Sequence, residues 1–121
     1  MQNLQYNFRL CIHSGERYGE FGPGIASLLR GVEKTGSLLK AAEAMGMAYS
    51  KAWKSLKKVE ENLDIVLITR ETGRGHGSAL TREGIDFLNA YQAFYKDIKV
   101  AAEASFQKHF FPLKITEDPA E

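Results

Sequence analysis

The sequence predicts an α+β domain that is mainly α, on the strength of three patterns. Apolar residues alternate with polar ones over the first dozen positions, then recur three and four apart through most of the remaining chain, and a glycine-rich stretch splits the helical pattern between two short apolar runs. At 121 residues there is enough chain for one hydrophobic core, so these patterns belong to one domain with appendages.

The alternation comes first. Leu4, Tyr6, Phe8, Leu10 and Ile12 interleave with Gln5, Asn7, Arg9, Cys11 and His13, which puts the large apolar groups on one face and predicts a half-buried N-terminal β-strand. Four glycines and a proline between Ser14 and Gly24 predict a loop. From Pro23 onward, Ile25, Leu28, Leu29 and Val32 follow helical spacing, with proline suited to the first turn and Gly36 to the C-terminal cap.

Ser37 is placed to cap a short second helix containing Leu38, Leu39, Ala41, Ala42 and Met45, which breaks at Gly46. Ala42 and Gly46 are expected to be small because a tight turn brings two helix backbones together there. A third helix is predicted from near Ala48 to about Asn62. Ile65 to Ile68, leading into Thr69 and Arg70, reads as a strand, and the glycines of TGRGHGS (Thr72 to Ser78) as a hairpin connection to Ala79 and Leu80. Thr81 then caps a final helix to about Phe110, roughly 40 Å long at 1.5 Å per residue. Pro112 and the acidic stretch KITEDPAE close the chain. The expected organisation is therefore strand and helix-turn-helix over residues 1–81, a long helix over 82–111, and an acidic tail over 112–121.

Composition narrows the function classes without choosing among them. Hydrophobic residues make up 44% and charged residues 26%, ordinary for a soluble globular protein. Sixteen Lys and Arg against 15 Asp and Glu give a net charge of +1, so any attraction to a polyanion must be local. The single cysteine, Cys11, permits no intramolecular disulfide, and the N-terminus lacks the basic and apolar regions of a signal peptide. No apolar run approaches the roughly 18 residues of a membrane span, so a cytoplasmic location and no membrane partner are expected.

Helix, tight turn, helix, strand, glycine-rich hairpin and long helix, in that order, make a winged helix-turn-helix, whose expected partner is double-stranded DNA. Taking 100° per residue from Lys51, the apolar residues Ala52, Leu56, Val59 and Leu63 cluster between about 80° and 140°. On the same wheel Lys51, Lys54, Ser55 and Lys58 fall between about 300° and 40°, with Lys57 nearer one edge. A basic helix face of this kind fits the major groove, and the helix N-terminus adds partial positive charge. The candidate DNA contacts are Ser37, Tyr49, Ser50, Lys51, Lys54, Ser55 and Lys58, joined by Arg70, Arg74 and His76 in or beside the hairpin, which reads as a wing for the minor groove or the phosphates. For an isolated helix, four lysines would simply solvate a surface; the preceding turn and following wing reverse that weighting.

Other chemistry finds less support. GRGHG lacks the spacing of a phosphate-cradling nucleotide loop. Trp53, at about 200°, is placed to pack against the first helix or the N-terminal strand rather than on a base. His13, His76 and His109 lie on different elements without metal-ligand spacing, so neither metal nor cofactor is expected, and no nucleophile with a base partner stands out. Along the last helix Leu88, Tyr91, Tyr95, Ile98, Ala102 and Ser105 recur three and four apart, flanked by Phe87, Phe94 and Phe106. Its first half is expected to pack on the core through Ile85 and Leu88, and its second half on a twin helix, forming a homodimer whose recognition helices sit about 34 Å apart.

SLLKAAEAMGMAYSKAWKSLKKVEENL followed by TGRGHGSALTREG resembles the N-terminal DNA-binding domain of ModE-type, molybdate-responsive regulators and, more distantly, that of LysR-type regulators. The pieces that carry the resemblance are Ala41-Ala42, Gly46, Tyr49 through Trp53, the glycine-rich wing, Leu80-Thr81 with Gly84, and FGPG at Phe21 to Gly24. It implies a homodimeric winged-helix transcriptional regulator, with the third helix and wing on operator DNA. Full-length ModE proteins also carry C-terminal oxyanion-binding domains; nine residues follow Pro112 here, so no molybdate pocket is assigned and the effector stays open. The alternative is a winged-helix module that binds protein through its long helix or N-terminal strand and does not bind DNA.

Overall fold

The computed structural model describes residues 3–70 and 77–113. Helix α1 spans Pro23–Thr35, with proline in its first turn and Gly36 closing it in the left-handed region at φ 71°. Helix α2 covers Leu38–Ala44, where the Lys40 N–H donates to Ser37 Oγ at 3.1 Å. Helix α3 runs Tyr49–Leu63, and helix α4 runs Arg82–Phe110 with the Gly84 N–H donating to Thr81 Oγ1 at 2.8 Å. Between α3 and α4, strands β1 (Ile68–Arg70) and β2 (Ser78–Leu80) pair antiparallel with Ile68 opposite Leu80 and Arg70 opposite Ser78.

α1 lies at the centre, packed against α2, α3, α4 and β2. Its apolar stripe of Ile25, Leu28, Leu29 and Val32 meets Leu38 and Ala42 of α2, Ala52, Leu56 and Val59 of α3, Leu67, and Leu88 of α4 in one core. The expected buried stripe of α3 is therefore observed, and Leu63 is packed at its edge.

Three details differ from expectation. Gly46 sits at φ 67°, and a Cβ there would meet nothing within 4 Å, so the turn needs its conformation rather than its size. The close approach of helix backbones lies instead between α1 and α2, where a Cβ on Gly31 would come within 2.6 Å of the Ala41 Cβ. β1 begins only at Ile68, because the Leu67 and Ile68 N–H groups donate to the buried carboxylate of Glu60 at 2.7 and 3.3 Å. Lys57 offsets that carboxylate at 3.8 Å.

The N-terminal strand is the main correction. Residues 3–11 belong to no strand, and the segment's β pairing among the described residues is a single bridge between Ile12 and Phe21. The alternation was real: Tyr6, Phe8, Leu10 and Ile12 are half-buried, while Gln5, Asn7, Arg9 and His13 are exposed. The surface they face is a helix. Tyr6 packs on Phe106 at 4.8 Å and Phe8 on Tyr95 at 5.1 Å between ring centroids, and the Tyr91 hydroxyl donates to the Leu10 carbonyl at 2.9 Å. Period-two spacing meets any flat apolar surface with one face, and here the arm runs antiparallel along α4.

That placement changes the reading of α4. Leu88 is buried in the core, as expected of its first half; Phe87 packs against that core, and Ile85 is half-buried. Further along, Tyr91 joins the core against Phe21, Tyr95 is covered by Phe8 of the chain's own arm, and Phe106, in the half expected to meet a twin helix, is covered by Tyr6 of that arm. Among the described residues, the large apolar groups left outside on this helix and just past it are Phe94, Val100, Phe110, Phe111 and Leu113.

Candidate nucleic-acid interface

α3 is the helix on which the candidate contacts converge. Its buried side anchors it on α1 and α2, which leaves the opposite side outward. Ser50, Lys51 and Lys54 are exposed in its first turns, and Tyr49 is half-buried beside them. Ala48, at the N-cap position, supplies no side-chain hydrogen bond to the first turn. Lys57 is turned away from this face, over the Trp53 ring at 5.3 Å, and Trp53 itself is packed against the core.

The second half of the same face is occupied. The loop from Ser14 to Glu20 lies against it, held by Asn62: its Oδ1 accepts from the Ser14 N–H at 2.8 Å, and its Nδ2 donates to the Ser14 and Glu16 carbonyls at 2.9 and 3.2 Å. Gly19, at φ 68°, touches the helix backbone, where a Cβ would stand 2.3 Å from the Lys58 carbonyl oxygen. Lys58 is exposed but lies over the Tyr18 ring at 5.6 Å. Ser55, half-buried, lines a groove of about 270 Å³ with Lys58, Arg9, Glu20 and the start of α1.

An ionic cluster stiffens this loop. Arg17 Nε donates to Glu20 at 2.5 Å, and Arg9 approaches the other carboxylate oxygen at 3.6 Å. The hydrogen bond from Arg17, then that from Cys11, hold the Glu20 carboxyl at about 2, well below its ordinary 4.5. Burial, and then the bond to Glu20, push the Cys11 thiol up.

The remaining candidates stand apart. Ser37 is half-buried at the start of α2, with its hydroxyl engaged in the cap. Arg70 closes β1, while Arg74 and His76 lie outside the described residues, as do most of the expected wing tip and the acidic tail. Sequence reasoning missed Asn62, Arg17, Tyr18 and Glu60. Asn62 falls at about 20° on the wheel, inside the basic sector, and a short amide among lysines there was the available signal. Among the described residues no group of three or more His, Cys, Asp or Glu could hold a metal, and no helix is long and apolar enough to cross a membrane.

Residues 27–85 match the family model of the bacterial regulatory helix-turn-helix protein, lysR family. This segment is a LysR-type helix-turn-helix. Over 71 residues the chain is 31% identical to the DNA-binding transcriptional dual regulator ModE of Escherichia coli K12, a match that covers 57% of this chain and 27% of that protein. Identity and coverage are the same for the transcriptional regulator ModE of Yersinia pestis. The match thus spans about a quarter of the length of these curated relatives. Among solved structures, the CbnR DNA-binding domain in complex with DNA superposes with a TM-score of 0.55 at 20% identity, covering 66% of this chain and 88% of that one, a likeness of fold. ArgP from Mycobacterium tuberculosis superposes with a TM-score of 0.51 at 29% identity, covering 70% of this chain and 31% of that one. The mainly helical winged helix-turn-helix with a long C-terminal helix is the architecture expected from the sequence.

Proposed function

We propose that the protein is a sequence-specific, double-stranded-DNA-binding transcriptional regulator whose LysR-type helix-turn-helix inserts the first turns of α3 into the major groove. The observation that carries this reading is the exposure of Ser50, Lys51 and Lys54 on an outward helix face whose opposite side is locked into the core. Lysine and serine there reach base edges or phosphates, and a helix start without a side-chain cap favours an anion. Tyr49 supports the same turn, and Ser55 and Lys58 extend it. Ser37 contributes from the start of α2, and Arg70, Arg74 and His76 contact the backbone or minor groove from the wing. The ModE relatives, named as transcriptional regulators, favour this reading.

The active species is a homodimer joined along α4. Exposed Phe94, with half-buried Ile98 one turn further on the same side, supplies the seam. Two-fold symmetry then presents two copies of α3 to successive major grooves about 34 Å apart.

Selection of bound duplexes from a random library with the purified protein tests the reading. A near-palindromic motif with half-sites about one helical turn apart is expected. Enrichment of no motif, together with no retardation of duplex DNA in a gel, would overturn it in favour of a protein-binding winged helix.

A further inference from the structure

We infer that the loop from Ser14 to Glu20 is a second DNA-contacting element, which places Arg17 and Tyr18 on backbone phosphates beside the groove that α3 enters. The inference rests on the proposed DNA-binding reading and extends it to a segment outside the helix-turn-helix match at residues 27–85.

Position is the first argument. Asn62, Lys58 and Ser55, at about 20°, 340° and 40° around the helix axis, share with Lys51 and Lys54 the sector from about 300° to 40°. Asn62 holds Ser14 and Glu16 on that sector, and Gly19 abuts the Lys58 carbonyl. The loop therefore stands on the side of α3 that faces the duplex, over the helix's second half. When the first turns of a recognition helix enter the groove, its second half leaves toward the phosphate rim, and whatever is mounted there meets the backbone.

Chemistry is the second argument. Arg17 is 70% exposed and its Nε is committed to Glu20, so the guanidinium is held in one orientation at the surface. Glu20 is only 15% exposed and is shared between two arginines, so Arg9, Arg17 and Glu20 together keep a net positive charge. Lys58 adds another cation over the exposed Tyr18 ring. An oriented guanidinium beside a lysine and a phenol hydroxyl matches phosphate oxygens and carries no base preference.

The test measures the salt dependence of binding to the selected duplex for the full chain and for Arg17→Gln, Lys54→Gln and Lys96→Gln, the last an exposed lysine on α4. Arg17→Gln is expected to flatten the slope of log affinity against log salt by about one, as Lys54→Gln does, and to weaken all duplexes alike. Lys96→Gln is expected to leave the slope unchanged. Ethylation interference should lose one phosphate at the outer edge of each half-site in Arg17→Gln, with the circular-dichroism spectrum of the parent chain retained. If Lys54→Gln flattens the slope while Arg17→Gln leaves both slope and interference pattern intact, the loop contact is refuted and the α3 reading stands. If neither variant alters binding, the α3 reading falls and the loop contact with it.

Discussion

The outward face of α3 carries lysines at both ends, yet its two halves are not equivalent. Over the first turns Ser50, Lys51 and Lys54 are exposed, whereas over the last turns Lys58 and Asn62 lie against a loop distant in sequence, Asn62 reaching residues 46 and 48 positions away. A helical wheel reports the angle at which a side chain leaves the axis and is blind to what another segment places along that axis. The open half is suited to enter a groove. The covered half has become a platform, and the surface it presents is the loop's.

That contrast can be broken most forcefully at Gly19. Gly19→Ala puts a Cβ against the Lys58 carbonyl and a side chain at φ 68°, so it should cost about 2–4 kcal/mol in urea unfolding as the loop is driven off α3. An unchanged unfolding midpoint would mean that the loop does not rest on the helix. Asn62→Ala is a gentler break. It removes three hydrogen bonds and leaves Ser14 and Glu16 to water, an expected loss of about 1–3 kcal/mol accompanied by faster amide exchange at Ser14. Exchange as slow as in the parent chain would contradict the anchoring role.

The smallest effect is one of pH. Glu20 is held at about 2 against an ordinary 4.5, so its ionised form favours the folded state. Its contribution is complete above about pH 4.5 and disappears as the pH falls toward 2. The stability difference between the parent chain and Glu20→Gln should narrow through that window and be level at neutral pH. A difference constant from pH 7 to 3 would refute the ionic cluster.

Much of the fold was legible because its signals are local. Pro23, Gly36, Ser37, Gly46 and Thr81 stand where helix starts, caps and turns need them, and the spacing of Leu28, Leu29, Val32, Ala52, Leu56 and Val59 marks the core faces. The candidate site was legible only in outline. The helix angle put Lys51 and Lys54 outward, where they are exposed, whereas the contacts that Asn62 and Lys58 make with Ser14, Glu16 and Tyr18 exist only once the loop is seated. The β1 boundary was misplaced for a similar reason, since nothing near Leu67 announces that a buried Glu60 accepts its N–H.

Local sequence sets where helices begin and end, which faces are apolar, and that the N-terminal segment has one apolar side. Hydrogen bonds and dihedral preferences within a few residues decide these, and the chain carries that information wherever it goes. Long-range packing places the arm on α4 instead of in a sheet, covers Tyr91 and Tyr95 from within, and seats a loop on half of the basic face. Those outcomes depend on which distant surfaces meet. A period of two or of 3.6 declares that a face will be buried and leaves its partner open, because apolar burial has no direction of its own.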